Sequence, residues 1–206
     1  IDAWRHAIAS KSDGEHAHAS LALALHERGQ LEQAISSYRR AVEINGELTP
    51  ALWNLALALE QHGHAADAEK LYSRLVEREP SAEAWFRLGY LRFLQDQFRA
   101  AAEAFERSLK LRPAWLEAQI NLGVSWWRAG EITKASASFE AAHKAHPESA
   151  EGLRGMAVVA TERGDALGAL VFAELVDRVT HHMGRAIRPE RVLFTRDLPK
   201  TRSAKI

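Results

Sequence analysis

The stretch AEAWFRLGYLRFLQDQFRAAAEAFERSLKLRP, residues 82–113, decides the fold class of this chain. Its first half carries a large and a small apolar residue side by side, Leu88-Gly89, and ends in a polar turn at Asp96. A second apolar segment follows, and Pro113 closes it. Apolar residues at spacings of three and four predict two amphipathic helices joined by a turn.

The same features recur along the chain at spacings of 34, 33, 34 and 34 residues. The pairs of a large and a small residue are Leu21-Ala22, Leu55-Ala56, Leu88-Gly89, Leu122-Gly123 and Met156-Ala157. The turn residues are Gly29, Gly63, Asp96, Gly130 and Gly164. The second helices carry Ala34, Ala68, Ala101, Ala135 and Ala169, followed four positions later by Tyr38, Tyr72, Phe105, Phe139 and Ala173. One helix pair cannot bury its apolar face alone, so the repeat predicts stacked units.

This combination of residues resembles the tetratricopeptide repeat family, whose helix–turn–helix units are about 34 residues long. The resemblance implies an all-α fold, a right-handed α-solenoid of antiparallel helix pairs. We expect five repeats over residues 15–181, with the bounds 15–48, 49–81, 82–115, 116–149 and 150–181. Residues 1–14 are expected to be the second helix of a truncated repeat, with Trp4 in the aromatic place and Ala7 after it. Residues 182–206 are expected to form a basic tail outside the repeats.

The charge balance bears on the kind of partner. The chain has 27 basic and 27 acidic residues, and 47% of it is hydrophobic. A neutral total gives no electrostatic reason to expect a nucleic-acid partner. No apolar run is long enough to span a membrane, and no cysteine is present, so we expect a cytoplasmic protein without a membrane partner.

First helices of such arrays line a concave surface. Helical spacing places one set of side chains on that surface, beside the stripe used for packing. The expected peptide-binding residues are Trp53, Asn54, Leu57, Phe86, Arg87, Tyr90, Phe93, Asn121, Val124 and Trp127. Contiguous aromatic residues favour a binding site, although some of these rings could instead pack between helices. We expect Trp85, Trp115 and Trp126 to pack in that way.

Asn54 and Asn121 each precede the large-small pair of their repeat, and Arg87 is the equivalent residue between them. They resemble the asparagine ladder in the solenoid of O-linked N-acetylglucosamine transferase, which implies pairing of the amides with the backbone of an extended peptide. An amide has both a donor and an acceptor for such pairing. The alternative is that both side chains are simply solvated.

The chemistry of an enzyme is not evident in the sequence. There are ten histidines, but they lack the converging arrangement of a metal site, and no His-Glu-x-x-His helix occurs. No Ser–His–Asp arrangement, phosphate-binding loop or dinucleotide fingerprint is present. We therefore expect no catalytic residue, no metal, no cofactor and no enzyme activity.

The last nine residues, Leu198-Pro199-Lys200-Thr201-Arg202-Ser203-Ala204-Lys205-Ile206, resemble the closing motif of AMP-forming acyl-CoA synthetases, with Ala204 in place of Gly. In that family the lysine matching Lys205 orients the acyl-adenylate, and its acylation switches the enzyme off. The resemblance implies a fusion relic, a modification target at Lys205 or a groove-binding segment. A disordered basic tail is the remaining alternative.

Three functional hypotheses follow from the sequence. The first is an interaction scaffold that binds another protein or a peptide segment in the aromatic groove. The second is a targeting or regulatory piece of an acyl-CoA synthetase-type system. The third is a spacer or a self-associating array.

Overall fold

The computed structural model describes residues 14–183, and every regular element within that range is an α-helix. The ten helices of this range are α1 (Glu15–Glu27), α2 (Leu31–Ile44), α3 (Thr49–Gln61), α4 (Ala65–Arg78), α5 (Ala82–Leu94), α6 (Phe98–Leu111), α7 (Leu116–Arg128), α8 (Ile132–Ala145), α9 (Glu151–Glu162) and α10 (Ala166–Met183). The expected truncated helix with Trp4 and most of the expected basic tail, including Lys205, lie outside the described residues.

The helices come in pairs whose members are joined by a tight turn. Four of these turns contain a glycine with positive φ, namely Gly29, Gly63, Gly130 and Gly164. Asp96 takes the same place between α5 and α6, with a φ of 59°. A left-handed backbone conformation is unfavourable in free energy for any residue that has a Cβ, and glycine avoids this cost. Asp96 is therefore the strained member of this set.

The second helix of a pair shows how the sequence pattern determines the buried face. On α6, Ala101, Phe105 and Ser108 are buried, whereas Glu103 and Arg107 are exposed. The buried residues are separated by four and three positions and thus lie on one side of the helix. The pattern therefore directs this side of α6 towards its neighbours and the charged side towards solvent.

The chain divides into two compact units, and the first of them ends at Leu91, inside α5. Within the first unit, α1 packs on α2, α2 on α3, and α3 on α4. The rings of Tyr38 and Tyr72 are fully buried in this unit, together with Leu52 and Leu59. Each aromatic side chain of this size buries a large apolar area between the helix pairs.

The second unit begins at Arg92. Here α6 packs on α7, α7 on α8, α8 on α9, and α9 on α10. The rings of Phe105 and Phe139 are buried in its core. Gly123 and Gly155 lie against the Phe139 ring. A Cβ at either position would overlap with that ring. The small residues of the repeat thus permit close packing of α7, α8 and α9.

Candidate functional site

The side chains expected to line a peptide groove fall into two classes by exposure. Those that are half-buried are Trp53, Asn54, Leu57, Arg87, Tyr90 and Trp127. Those that are buried, with at most 5% of the residue exposed, are Phe86, Phe93, Asn121 and Val124. The expectation that all of these side chains face an open groove is therefore corrected for the four buried residues.

The surroundings of α7 explain why two of these four residues are buried. This helix contacts α6, α8 and α9, so little of its circumference is left open. Asn121 and Val124 are covered as a result, and the Asn121 amide is neither solvated nor open to the backbone of a peptide. Phe93 is covered in a different way, by the ring of Phe98 at 5.2 Å and the guanidinium of Arg128 at 5.8 Å.

The expected groove residues also belong to different units. Trp53, Asn54, Leu57, Phe86, Arg87 and Tyr90 belong to the first unit, and Phe93, Asn121, Val124 and Trp127 belong to the second. Within the second unit, Trp127 is half-buried near the end of α7. Within the first unit, two features concentrate the predicted residues: a polar network around Arg87 and an open cleft beside Trp53.

Arg87 lies at the centre of a polar network that links α3, α4 and α5. Its Nη1 donates to Glu60 Oε2 at 3.0 Å and to Oε1 at 3.3 Å, and its Nε donates to Glu83 Oε1 at 2.9 Å. The Tyr72 hydroxyl donates to Glu60 Oε2 at 3.1 Å. The side chains of Arg87 and Glu60 are only 15% and 12% exposed. Arg87 is thus engaged by Glu60 of α3 and by Glu83 of its own helix.

The network perturbs the ionisation of its members. Burial raises the pKa of the Tyr72 hydroxyl far above its usual range, and the Glu60 carboxylate raises it further. Burial acts to lower the pKa of Arg87, but Tyr72, Glu60 and Glu83 outweigh that effect and raise it. Tyr72 therefore stays protonated and Arg87 charged, which keeps the hydrogen bonds of the network in place.

Trp53 and Asn54 lie in an open cleft of about 810 Å³ in the first unit. The residues that line this Trp53 cleft are Asn45, Glu47, Leu48, Thr49, Pro50, Trp53, Asn54, Leu75, Glu79, Pro80, Ser81 and Ala84. They come from the segment between α2 and α3, the first two turns of α3, and the junction of α4 with α5. The Trp53 ring stands edge-on to the Tyr72 ring, with centroids 5.5 Å apart. Tyr72 thereby fixes the orientation of the indole.

Most polar groups of the Trp53 cleft already have partners. The Asn45 amide donates to Glu15 and its oxygen accepts from the Glu47 N–H. The Thr49 hydroxyl donates to Glu79 Oε1 at 3.1 Å, and Ser81 Oγ accepts from a backbone N–H of α5. Among residues 14–183, no hydrogen bond engages the Asn54 amide. This amide is therefore available to a bound molecule.

Several of these cleft residues were not predicted from the sequence. Glu79 and Pro80 lie at the junction between two helix pairs, and Thr49 is the first residue of α3, whereas the groove was expected along the middle of the first helices. The sequence did contain an indication for two of the cleft residues. Thr49 and Pro50 come only a few residues before Trp53 in the same helix and were therefore close to a predicted binding residue.

Two further classes of site have no counterpart in the described part of the chain. Between residues 14 and 183, His, Asp and Glu side chains nowhere form a group of three or more that could hold a metal ion. None of the helices described is both long and apolar enough to cross a lipid bilayer.

Successive antiparallel helix pairs with a shared sequence pattern define a helical repeat protein. The chain belongs to the tetratricopeptide repeat family. Models of this family, described as tetratricopeptide repeat and TPR repeat, match residues 22–63, 54–114 and 95–142. Together these matches run over more than half of the chain.

Solved structures of low sequence identity share the fold. The crystal structure of YrrB, described as "a TPR protein with an unusual peptide-binding site", is 17% identical, with a TM-score of 0.76 over 87% of this chain and 93% of that chain. The crystal structure of MamA protein is 20% identical, with a TM-score of 0.77 over 85% of this chain and 98% of that one. MamA 41-end from Desulfovibrio magneticus RS-1 is 17% identical, with a TM-score of 0.71 over 81% and 93%. These similarities establish the all-α solenoid fold.

A second family model, the AMP-binding enzyme C-terminal domain, matches residues 132–205. The match begins in α8 and includes the closing motif with Lys205, so the resemblance of the tail to AMP-forming enzymes is supported. Residues 132–142 are matched by both families. No curated protein matches the chain in sequence.

Proposed function

We propose that this protein is a non-enzymatic interaction module that binds a segment of another polypeptide in the Trp53 cleft. The observation that carries the proposal is the presence of half-buried Trp53 and Asn54 in one open cleft. Tryptophan is among the residues that contribute most to binding energy at protein interfaces. An amide without a partner can pair with a peptide unit whatever the side chain of that unit.

The repeat architecture supports this proposal. We assign five repeats with the bounds 15–48, 49–81, 82–115, 116–149 and 150–181. YrrB, a protein of the same fold, is described as having a peptide-binding site. The half-buried side chains of Leu57, Tyr90 and Trp127 are further candidates for contacts with a peptide, each within its own unit.

The proposal is tested by selecting peptides from a random displayed library against the full chain. The affinity of each enriched peptide is then measured by fluorescence anisotropy for the wild type and for Trp53→Ala and Asn54→Ala. We expect Trp53→Ala to weaken binding about tenfold or more, since a hot-spot truncation costs about 2 kcal/mol. Asn54→Ala should weaken binding about threefold to tenfold, because one neutral hydrogen bond is lost.

Matched controls exist on other surfaces of the first unit. Leu23 is an exposed apolar residue of α1, and Gln33 is an exposed amide of α2. Leu23→Ala and Gln33→Ala should leave the affinity unchanged. Equal affinity of wild type, Trp53→Ala and Asn54→Ala would place the binding site elsewhere, and failure to enrich any peptide would contradict peptide binding itself.

A second candidate function rests on the AMP-binding enzyme C-terminal domain match over residues 132–205. On this proposal the chain is a regulatory partner in an acyl-CoA synthetase-type system, and Lys205 accepts an acyl group. The full chain would be incubated with acetyl-CoA and a lysine acetyltransferase, and the tail analysed by mass spectrometry. Acetylation of Lys205 well above that of Lys200 supports the proposal, and equal or absent acetylation of Lys205 contradicts it.

A further inference from the structure

We infer that the Trp53 cleft selects polypeptide segments that carry a lysine or arginine. This inference rests on the proposed function, since it names the kind of segment that the same cleft binds. Its basis is the charge of the cleft lining together with the hydrogen bonds that its two carboxylates already make.

The ionisable side chains lining the Trp53 cleft are acidic. Glu47 and Glu79 belong to the lining, and no Lys, Arg or His does. Both carboxylates are on exposed residues, so a cation can reach them from solvent. Helix dipoles do not change the negative charge of the lining. The C-terminal ends of α2 and α4 and the N-terminal ends of α3 and α5 all lie at the cleft, and their opposite partial charges offset one another. The lining itself is therefore acidic, while Arg74 and Arg78 lie beside it and both donate to the carbonyl of Gly46, which sits between two lining residues.

The two carboxylates differ in how far they are already engaged. Arg78 forms an ion pair with Glu47 and also donates to the Gly46 carbonyl at 3.0 Å, so the charge of Glu47 is largely compensated. Glu79 accepts one hydrogen bond, from the Thr49 hydroxyl, and no ion pair within residues 14–183 neutralises it. Glu79 is therefore the carboxylate that an incoming cation would meet.

The apolar part of the cleft suits the remainder of such a segment. Trp53, Pro50 and Pro80 provide apolar contact surface beside the carboxylates. The stem of an Arg or Lys can lie along apolar surface while its charged head stays at a carboxylate. A guanidinium or ammonium can also stack on the indole face. The same lining would disfavour an acidic segment through like-charge repulsion.

Two displayed peptide libraries of identical design test the inference on the full chain. One library has Arg fixed at the central position, the other has Gln, and the flanking positions of both are random among residues other than Lys, Arg and His. We expect enrichment from the Arg library and little from the Gln library. The enriched Arg peptides should also lose affinity when about 0.5 M salt is added, because attraction between exposed charges is screened.

Variants of the two glutamates locate the charge effect. Glu79→Gln should lower the affinity for the enriched Arg peptides about twofold to fivefold, as expected for the loss of an exposed ion pair. Glu79→Lys should lower it about tenfold. Glu47→Gln should have a smaller effect, because Arg78 already compensates that carboxylate. The matched control is Glu77→Gln, an exposed carboxylate near the end of α4, two residues before Glu79.

The outcomes separate this inference from the proposed function. Arg peptides that lose affinity with Glu79→Lys and keep it with Glu77→Gln support the inference. Peptides enriched equally from both libraries, with affinities insensitive to Glu79→Lys but lowered by Trp53→Ala, overturn the charge selection and leave peptide binding intact. No enrichment from either library would contradict the proposed function and the inference together.

Discussion

The Phe139 ring lies directly against the backbone of Gly155. A Cβ placed on Gly155 would be 2.2 Å from Phe139 Cδ1, far inside van der Waals contact. Gly123 approaches the same ring, with a Cβ there 2.5 Å from Phe139 Cε1. The aromatic residue of α8 thus fills the space that glycines leave on α7 and α9, and its fit depends on both.

Gly155→Ala is expected to lower the free energy of unfolding by about 1–3 kcal/mol, because the added methyl group overpacks the core against the ring. The measurement is equilibrium unfolding in urea. Phe139→Leu in the Gly155→Ala background should recover part of the loss, as a double-mutant cycle would show. Gly14→Ala is the control, since nothing lies within 4 Å of its Cβ and its φ is −94°. Unchanged stability in Gly155→Ala would contradict the described packing.

Position 96 offers a test of backbone strain. Asp96 has a φ of 59°, and its carboxylate lies 3.7 Å from the Arg128 guanidinium. Glycine tolerates this φ at less cost than Asp, whereas Ala tolerates it less well. The Arg128 pair is exposed and contributes little. We expect Asp96→Gly to be more stable than the wild type by about 0.5 kcal/mol and Asp96→Ala to be less stable by about 1 kcal/mol. The opposite order in thermal unfolding would disprove the strain.

The hydroxyls of Tyr38 and Tyr72 have unlike environments in the same unit. Both rings are fully buried, yet among residues 14–183 no hydrogen-bond partner is within reach of Tyr38 Oη, whereas Tyr72 Oη donates to Glu60. We expect Tyr38→Phe to leave the stability unchanged or raise it by about 1 kcal/mol, because an unsatisfied buried group is removed. Tyr72→Phe should destabilise by about 1–2 kcal/mol. Each variant is the control for the other in urea unfolding, and equal effects would count against the described hydrogen bonding.

The same tyrosines predict a loss of stability in alkali. Burial raises the pKa of Tyr38 to about 12, with a contribution from the Glu27 carboxylate, whereas an unfolded tyrosine has a pKa of about 10. Between these values the unfolded chain releases a proton that the folded chain retains, so stability falls as pH rises from about 10 to 12. Below about pH 10 neither state ionises and this contribution is constant. Urea unfolding at about pH 8, 10 and 11 should show a shallower decline for Tyr38→Phe than for the wild type. A parallel decline for both proteins would refute this source of pH dependence.

Periodicity was sufficient to predict the fold. The large-small pairs, turns and aromatic positions recur at nearly constant spacing. Each of these features determines the conformation of a short stretch of chain and can therefore be recognised in the sequence. Asp96 illustrates this point, because it was identified by its place in the pattern and does adopt the backbone conformation that glycine has in the other turns.

The exposure of groove residues could not be predicted in the same way. Helical spacing gives the side of a helix on which a residue lies, but not the side chains that other helices bring to it. Asn121 is buried because three helices contact α7, and Arg87 is engaged because Glu60, 27 positions earlier, lies beside it. Such contacts depend on how helix pairs stack, and a single sequence does not contain that information explicitly.

The network around Arg87 has a consequence for how this protein could change its length during evolution. In a repeat protein each repeat contacts only its neighbours. Gain or loss of a whole repeat therefore costs little stability where neighbouring repeats meet through interchangeable apolar surfaces. Loss of the helix pair α5–α6, which carries Arg87, would leave the Glu60 carboxylate largely buried without its partner, which is costly for an uncompensated charge. Duplication or excision between α4 and α5 would therefore be selected against unless position 60 changed at the same time.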